Sequence, residues 1–149
     1  SLKVFNSLTL TPAREQETTS SSLVDLWNQH ERQLRLALAG VRANKMKKSF
    51  DTGAEAFPVQ ILQTAQTAAD MEDPLAAEQY LNRFRLDFLE MLRPMDPFSE
   101  NSVFYYGLKL KLISRIRQFD KAKGQNAYQN IYTSILRGGE QEATQCPKI

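Results

Sequence analysis

The sequence has only one cysteine and one histidine, and this scarcity excludes several kinds of site. Cys146 has no second cysteine with which to form an internal disulfide. A structural zinc site needs about four clustered ligands, mostly Cys and His, which this composition cannot supply. Carboxylate metal sites in helical bundles typically use Glu-x-x-His pairs, and none occurs. We therefore predict no metal and no cofactor, and a reducing, cytoplasmic compartment.

Long apolar runs and glycine-rich loops are lacking as well. No apolar stretch is long enough to cross a bilayer, and none follows a basic segment as in a secretion signal. The sequence contains no phosphate-binding G-x-G-x-x-G or G-x-x-x-x-G-K-[ST] loop and no G-x-S-x-G nucleophile elbow. These absences predict a soluble chain that is not inserted in a membrane and is not an enzyme.

What is present is the composition of an ordinary globular domain. The chain has 149 residues, of which 42% are hydrophobic and 24% charged, with six glycines and six prolines. This is the usual size of one domain with its own core. The net charge of +2 is too small to predict a nucleic acid or an acidic membrane as the partner.

The strongest periodic pattern predicts a long first helix. Ser22 and Asp25 match a helix-capping pattern, in which a hydroxyl caps free backbone N–H groups and an acid lies in the first turn. Apolar residues then recur at helical spacing to about Lys47, on a stripe made of Leu23, Trp27, His30, Leu34, Leu38 and Val41. Glu31, Arg32, Arg35 and Arg42 lie off this stripe.

Four further helices follow from proline, capping and periodicity signals. Pro58 suits the first turn of a second helix, and Asp73-Pro74 opens a third. The segment from Val103 to Phe119 alternates like a strand at Leu108-Lys109-Leu110-Lys111-Leu112, but the wider window fits a helix better. A last helix has a stripe of Tyr128, Ile131, Tyr132, Ile135 and Leu136, with Gly138-Gly139 as its predicted stop.

These elements predict an all-α fold. About five helices joined by short turns form a compact bundle of antiparallel hairpins over residues 22–137. Residues 1–21 are predicted to be a flexible N-terminal arm, and residues 138–149 a flexible C-terminal tail. No repeat with a period of about 34 residues supports a tetratricopeptide array.

The only histidine is interpreted as a packing residue. His30 falls on the apolar stripe, where histidines are more often buried side chains than bases or ligands. A phosphotransfer role would favour a small residue and a lysine nearby. Glu31-Arg32-Gln33-Leu34 follow it instead, so we predict no catalytic residue.

A basic stretch in the fourth helix gives one hypothesis for function. Most of its charges share one side of the helix, opposite the apolar stripe. Such a face binds nucleic acid or another polyanion in some proteins and is only a solvated face in many others. The candidate residues are Lys109, Lys111, Arg115, Arg117, Lys121 and Lys123.

An apolar surplus around Pro94 to Tyr106 gives the preferred hypothesis. Met95, Phe98, Phe104 and Tyr106 provide more large side chains than one helix face can bury, and these residue types are enriched at interface cores. The alternative is that they cap one end of the bundle. We interpret the chain as a non-enzymatic protein–protein interaction module, an adaptor, chaperone-like or assembly-subunit domain, which binds another protein or a second copy of itself. An apolar ligand between the helices is a third hypothesis.

Overall fold

The computed structural model describes residues 2–13, 18–51, 56–119 and 121–143, and these residues are predominantly helical with no strand among them. The prediction of an all-α protein is confirmed. Six helices are found in the described ranges, one more than predicted: α1 (Leu2–Ser7), α2 (Ser22–Lys45), α3 (Val59–Asp70), α4 (Pro74–Met91), α5 (Glu100–Gln118) and α6 (Lys121–Ala143).

The helix starts follow the capping signals closely. The cap of α2 is Ser21, one residue before the predicted Ser22, because the Ser21 Oγ accepts a hydrogen bond from the Val24 backbone N at 3.3 Å. At α4 the prediction is confirmed, since Asp73 Oδ1 accepts from the Leu75 N at 2.9 Å and Pro74 occupies the first turn.

Helix α2 ends within two residues of the predicted position. Lys47, directly after the C-cap Met46, has a φ of 55°, the left-handed conformation that usually favours glycine. The Lys48 N–H donates to the Ala43 carbonyl at 2.9 Å across this turn, which satisfies one of the last carbonyls of the helix.

The contacts within the chain divide it into two compact units, Ser1–Ile116 and Arg117–Ile149. Helix α6 lies in the second unit and continues through Gly138-Gly139 to Ala143, so the predicted stop at these glycines is wrong. Glycine inside a helix costs only about 1 kcal/mol relative to alanine, and the backbone needs no left-handed turn there. Residues 144–149, including Cys146, lie outside the described residues.

The first unit has two clusters of buried apolar side chains. One joins α2, α4, α5 and Leu8 around the fully buried Trp27. The other joins α2, α3 and α4, and there the small side chains of Ala65 and Ala68 bring α3 close to α2. Most of the predicted stripe of α2 belongs to these clusters, and α5 adds Phe104, Tyr105, Leu108 and Leu112, which share one face at helical spacing.

The described part of the N-terminal arm has contacts that the sequence did not indicate. Leu8 is buried in the cluster around Trp27, and the Thr9 carbonyl accepts a hydrogen bond from the Trp27 Nε1 at 3.2 Å. Gly107 of α5 allows this approach, since a Cβ there would lie 2.8 Å from Leu8 Cδ1 and 3.1 Å from Phe5 Cε2. Residues 2–13 therefore cover one side of α2 and α5.

Candidate interaction surfaces

The turn between α4 and α5 is fixed by hydrogen bonds around Asp96. Its Oδ1 accepts from the Phe98 N at 3.0 Å. Its backbone carbonyl accepts from the hydroxyls of Ser99 at 2.9 Å and Ser102 at 2.6 Å. The Ser99 Oγ in turn accepts from the Ser102 N, in the first turn of α5. An aspartate in this position is typical of a well-defined turn.

This turn presents two large apolar side chains to solvent. Met95 and Phe98 have relative exposures of 101% and 94%, although both residue types are usually buried. Both are among the four residues that the sequence analysis selected as partner-binding candidates. They share one turn of known conformation, and we name them, with Asp96 and Pro97, the Met95–Phe98 turn.

The other two residues predicted to bind a partner lie in different environments. Phe104 is buried in the cluster around Trp27, so it belongs to the core and offers no surface to a partner. Its position on α5 four residues before Leu108 explains this, because both fall on the buried stripe. Tyr106 is exposed, with its ring edge-on to Tyr105 at a centroid distance of 5.5 Å.

Beside the turn, a polar cluster joins the end of α4 to α5. The Tyr105 hydroxyl donates to Glu90 Oε1 at 2.7 Å and accepts from the Lys109 Nζ at 3.1 Å. Arg93 Nη2 lies 3.0 Å from Glu90 Oε2. The hydrogen bond from Lys109, then that from Tyr105, lowers the pKa of Glu90. This carboxylate is therefore ionised and surrounded by positive charge.

The basic face predicted on α5 is bonded largely to groups of the same chain. Lys109 forms an ion pair with Glu90, and Arg115 forms one with Glu78 at 2.8 Å. Lys111 donates to the Leu8 carbonyl. The two ion pairs neutralise positive charge to which a polyanion would bind. The side chain of Lys111 instead binds the backbone of the N-terminal segment.

The remaining basic candidates belong to the second unit. Arg117 and Lys123 have exposed side chains, and the side chain of Lys121 lies outside the described residues.

A buried ion pair, which the sequence analysis did not identify, links α2 to α4. Glu31 and Arg85 are 1% and 5% exposed, and the guanidinium meets both carboxylate oxygens, at 2.9 and 3.0 Å. Arg85 also donates to Asn82 Oδ1 at 3.1 Å. Glu31 lies next to His30 at the border of the buried stripe. A Glu–Arg pair on two different helices leaves no periodic signal in either one.

His30 packs among aromatic rings, as its place on the stripe predicted. It stacks on Phe88 with the ring centroids 3.6 Å apart, and Phe84 lies at 5.2 Å. Burial, and then the positive charge of Arg85, lowers the pKa of His30 from 6.5 to about 4. The imidazole is therefore neutral at physiological pH, and its Nδ1 has no hydrogen-bond partner in the described structure.

An apolar groove of about 450 Å³ lies beside this histidine, between α2, α3 and α4. Its walls include Leu26, Ile61, Phe84, Phe88 and Met91, and glutamines with Asp87 form the polar part of the lining. The size is that of a small-molecule or side-chain pocket. No group of three or more Cys, His, Asp or Glu residues suited to a metal occurs in the ranges described.

Helix α6 has the largest exposed apolar stripe of a single helix in the described ranges. Its side chains are between 52% and 69% exposed, and the rings of Tyr128 and Tyr132 stack at a centroid distance of 6.1 Å. We name this stripe the α6 stripe: Tyr128, Ile131, Tyr132, Ile135 and Leu136. The predicted helical spacing is confirmed, and none of the five side chains is buried by the residues that the structure describes. No helix within the described ranges is long and apolar enough to cross a membrane.

Comparisons with known proteins place the chain in a family without indicating its activity. No curated protein and no solved structure matches it significantly. One family model matches residues 50–139, more than half of the chain, and this range includes both the Met95–Phe98 turn and the α6 stripe. The chain therefore belongs to the family described as "Protein of unknown function (DUF2764)".

Proposed function

We propose that this protein is a non-enzymatic interaction module, of the adaptor, chaperone-like or assembly-subunit kind, which binds a partner protein through the Met95–Phe98 turn. The observation that supports this proposal is the nearly complete exposure of Met95 and Phe98 on a turn held by Asp96. Exposed Met and Phe side chains contribute no stability to the free chain, whereas burying each in a partner is worth roughly 1.5–3 kcal/mol.

The conformation of the turn favours binding for a second reason. Hydrogen bonds from Phe98, Ser99 and Ser102 to Asp96 already fix the backbone. A partner therefore has to order only two side chains, and the entropy lost on binding is small. The partner that fits is a protein with an apolar pocket for a phenyl ring and a neighbouring groove for the methionine.

The polyanion alternative has weaker support. Lys109 and Arg115, two residues of the predicted basic face, form ion pairs with Glu90 and Glu78. A nucleic acid would have to compete with these carboxylates for the same cations. Binding of that kind would depend steeply on salt.

The test is affinity capture from a lysate of the source organism, with and without nuclease, using the full chain as bait. A Met95→Ser/Phe98→Ser variant is compared with a Met46→Ser/Val59→Ser variant, which removes two exposed apolar side chains elsewhere. We expect a stoichiometric protein that survives nuclease and moderate salt, is lost with the turn variant and is kept by the control. Equal capture by both variants, or recovery of nucleic acid alone, would overturn the proposal.

A further inference from the structure

A second surface, independent of the Met95–Phe98 turn, points to self-association. We propose that α6 pairs antiparallel with α6 of a second copy of this chain, so that the two α6 stripes cover each other in a symmetric dimer. All five side chains of the stripe are more than half exposed, and they occupy one face of the helix at positions i, i+3, i+4, i+7 and i+8. A continuous apolar stripe of this kind is the usual mark of a helix that packs against another helix.

The area of the stripe matches what a symmetric pair needs. Aromatic side chains bury roughly 150–250 Å² each and aliphatic ones somewhat less, so at the observed exposure the stripe offers roughly 600 Å² per copy. Two copies would bury roughly 1,200 Å², the lower bound for a stable, specific interface. Pairing through the same patch on both chains also gives the commonest oligomer, a closed twofold dimer.

The charge distribution along α6 favours a second copy as the occupant. Residues 124–136 contain no Asp, Glu, Lys, Arg or His, although 24% of the chain is charged. A homotypic contact brings identical surfaces together, so any charge inside the patch would meet a like charge or lie close to one. The residues that flank the stripe are Gln, Asn, Ser and Thr, whose side chains can hydrogen-bond across an interface between copies.

The order of residues in the stripe favours the antiparallel arrangement. The stacked Tyr128 and Tyr132 occupy its N-terminal part, and Ile135 and Leu136 its C-terminal part. In an antiparallel pair centred between Ile131 and Tyr132, the tyrosine rings of one copy pack on the aliphatic side chains of the other. The two helix dipoles then point in opposite directions, which is electrostatically favourable, whereas a parallel pair would align them side by side.

Sedimentation velocity on the full chain, between about 1 and 200 µM, tests the pairing. The wild type is expected to reach twice the chain mass of 17.0 kDa. Ile131→Glu/Ile135→Glu should remain a monomer over this range. The matched control is Asn126→Glu/Asn130→Glu, which adds the same charge on the opposite face of α6 and should still dimerise. Circular dichroism verifies that all three chains keep their helix content.

The orientation is tested by a spin label at Gln125→Cys in a Cys146→Ser chain. Antiparallel helices place the two labels about 20 Å apart along the axis, from a rise of 1.5 Å per residue, and parallel helices place them about 10 Å apart. We expect little dipolar broadening. A monomeric wild type, a dimer that survives Ile131→Glu/Ile135→Glu, or strong broadening would overturn the proposal. Capture of a partner through the Met95–Phe98 turn is a separate readout, because that surface is unchanged in the α6 variants.

Discussion

Glu31 and Arg85 illustrate how much one buried contact between two helices contributes. Both charges are removed from water, and the guanidinium is compensated mainly by Glu31, with a hydrogen bond to Asn82 and a longer contact of 3.5 Å to Glu78. Glu31→Gln removes the counter-charge that meets the guanidinium through two hydrogen bonds and leaves only the longer contact to Glu78, and we expect it to lower the free energy of unfolding by about 3 kcal/mol. Urea denaturation followed by circular dichroism measures this loss.

A double variant distinguishes the ion pair from simple packing. Replacing both partners, as Glu31→Leu/Arg85→Met, removes the buried charge as well as the attraction, so we expect a stability close to that of the wild type. If Glu31→Gln alone cost less than about 1 kcal/mol, the pair would not be the main polar link between α2 and α4.

His30 should make stability depend on pH. The unfolded chain takes up a proton near pH 6.5, whereas the folded chain does so only near pH 4, because burial and Arg85 lower the pKa of the imidazole. The unfolded state therefore binds more protons between these values. The contribution of the neutral histidine is complete above pH 6.5 and is lost as the pH falls towards 4, by about 3 kcal/mol at most.

The measurement is the free energy of unfolding at several pH values between 4.5 and 7. His30→Phe preserves a ring against Phe88 but does not titrate, so its stability should vary less over this range. An identical pH dependence in both chains would show that other groups are responsible. Measurements below pH 4.5 are less informative, because Asp70 and Glu90 add a pH dependence of their own: hydrogen bonds from Lys45 and Lys109 lower their pKa values in the folded chain and are lost in the unfolded chain.

At the scale of single helices, the end of α2 is strained. Lys47 has a left-handed backbone, which costs a residue with a side chain about 1 kcal/mol relative to glycine. We expect Lys47→Gly to raise the free energy of unfolding by about 0.5–1 kcal/mol. Lys48→Gly is the control, and it should give no gain. Thermal unfolding of both variants measures the difference.

Gly107 determines how closely the N-terminal segment approaches α5. A Cβ at this position would lie 2.8 Å from Leu8 Cδ1, so Gly107→Ala must displace a buried side chain. We expect the substitution to destabilise the wild type by about 1–2 kcal/mol, through overpacking. In a Leu8→Ala chain the same substitution should cost less, because the contact with Leu8 is gone and only the exposed Phe5 ring, 3.1 Å from the added Cβ, has to move. An equal effect in both backgrounds would contradict the observed contact.

At the scale of the whole molecule, the N-terminal segment completes the core of the first unit. Trp27 is the only tryptophan, so its fluorescence reports on the cluster that Leu8 covers. Deleting residues 1–11 removes Leu8 and the hydrogen bond from Trp27 to the Thr9 carbonyl. We expect a red shift of the emission and a lower melting temperature.

Deleting residues 1–6 is the matched control, because it retains Leu8 and Thr9. It should leave the emission close to that of the wild type. If both deletions shifted the emission equally, α1 rather than Leu8 would cover the tryptophan.

Helix type and most helix starts were predictable because they depend on neighbours in the sequence. Asp73-Pro74 caps α4, and the stripes of α2 and α5 supply most of the buried side chains. The predictions that were wrong concern where the last helix ends and which of two adjacent serines caps α2. Ser21 and Ser22 are both good caps, and Gly138-Gly139 permits a stop without requiring one.

The candidate surface was predictable only in part. Met95 and Phe98 follow prolines in a turn, where no helix face can bury them, and they are exposed. Phe104 belongs to the same apolar surplus in the sequence, but its place on the buried face of α5 assigns it to the core. Composition alone does not distinguish an apolar side chain that is buried in the core from one that lies exposed on the surface.

The sequence by itself determined the all-α class, the positions of the main helices and the packing role of His30, because periodicity and capping act within a few residues. Only the tertiary structure decided the contacts between distant residues. In that structure Glu31 binds Arg85, Leu8 packs in the cluster around Trp27, and the side chains of the α6 stripe are exposed. Which faces meet depends on how whole helices fit together, and an apolar stripe looks the same in a sequence whether it lies in a core or is exposed.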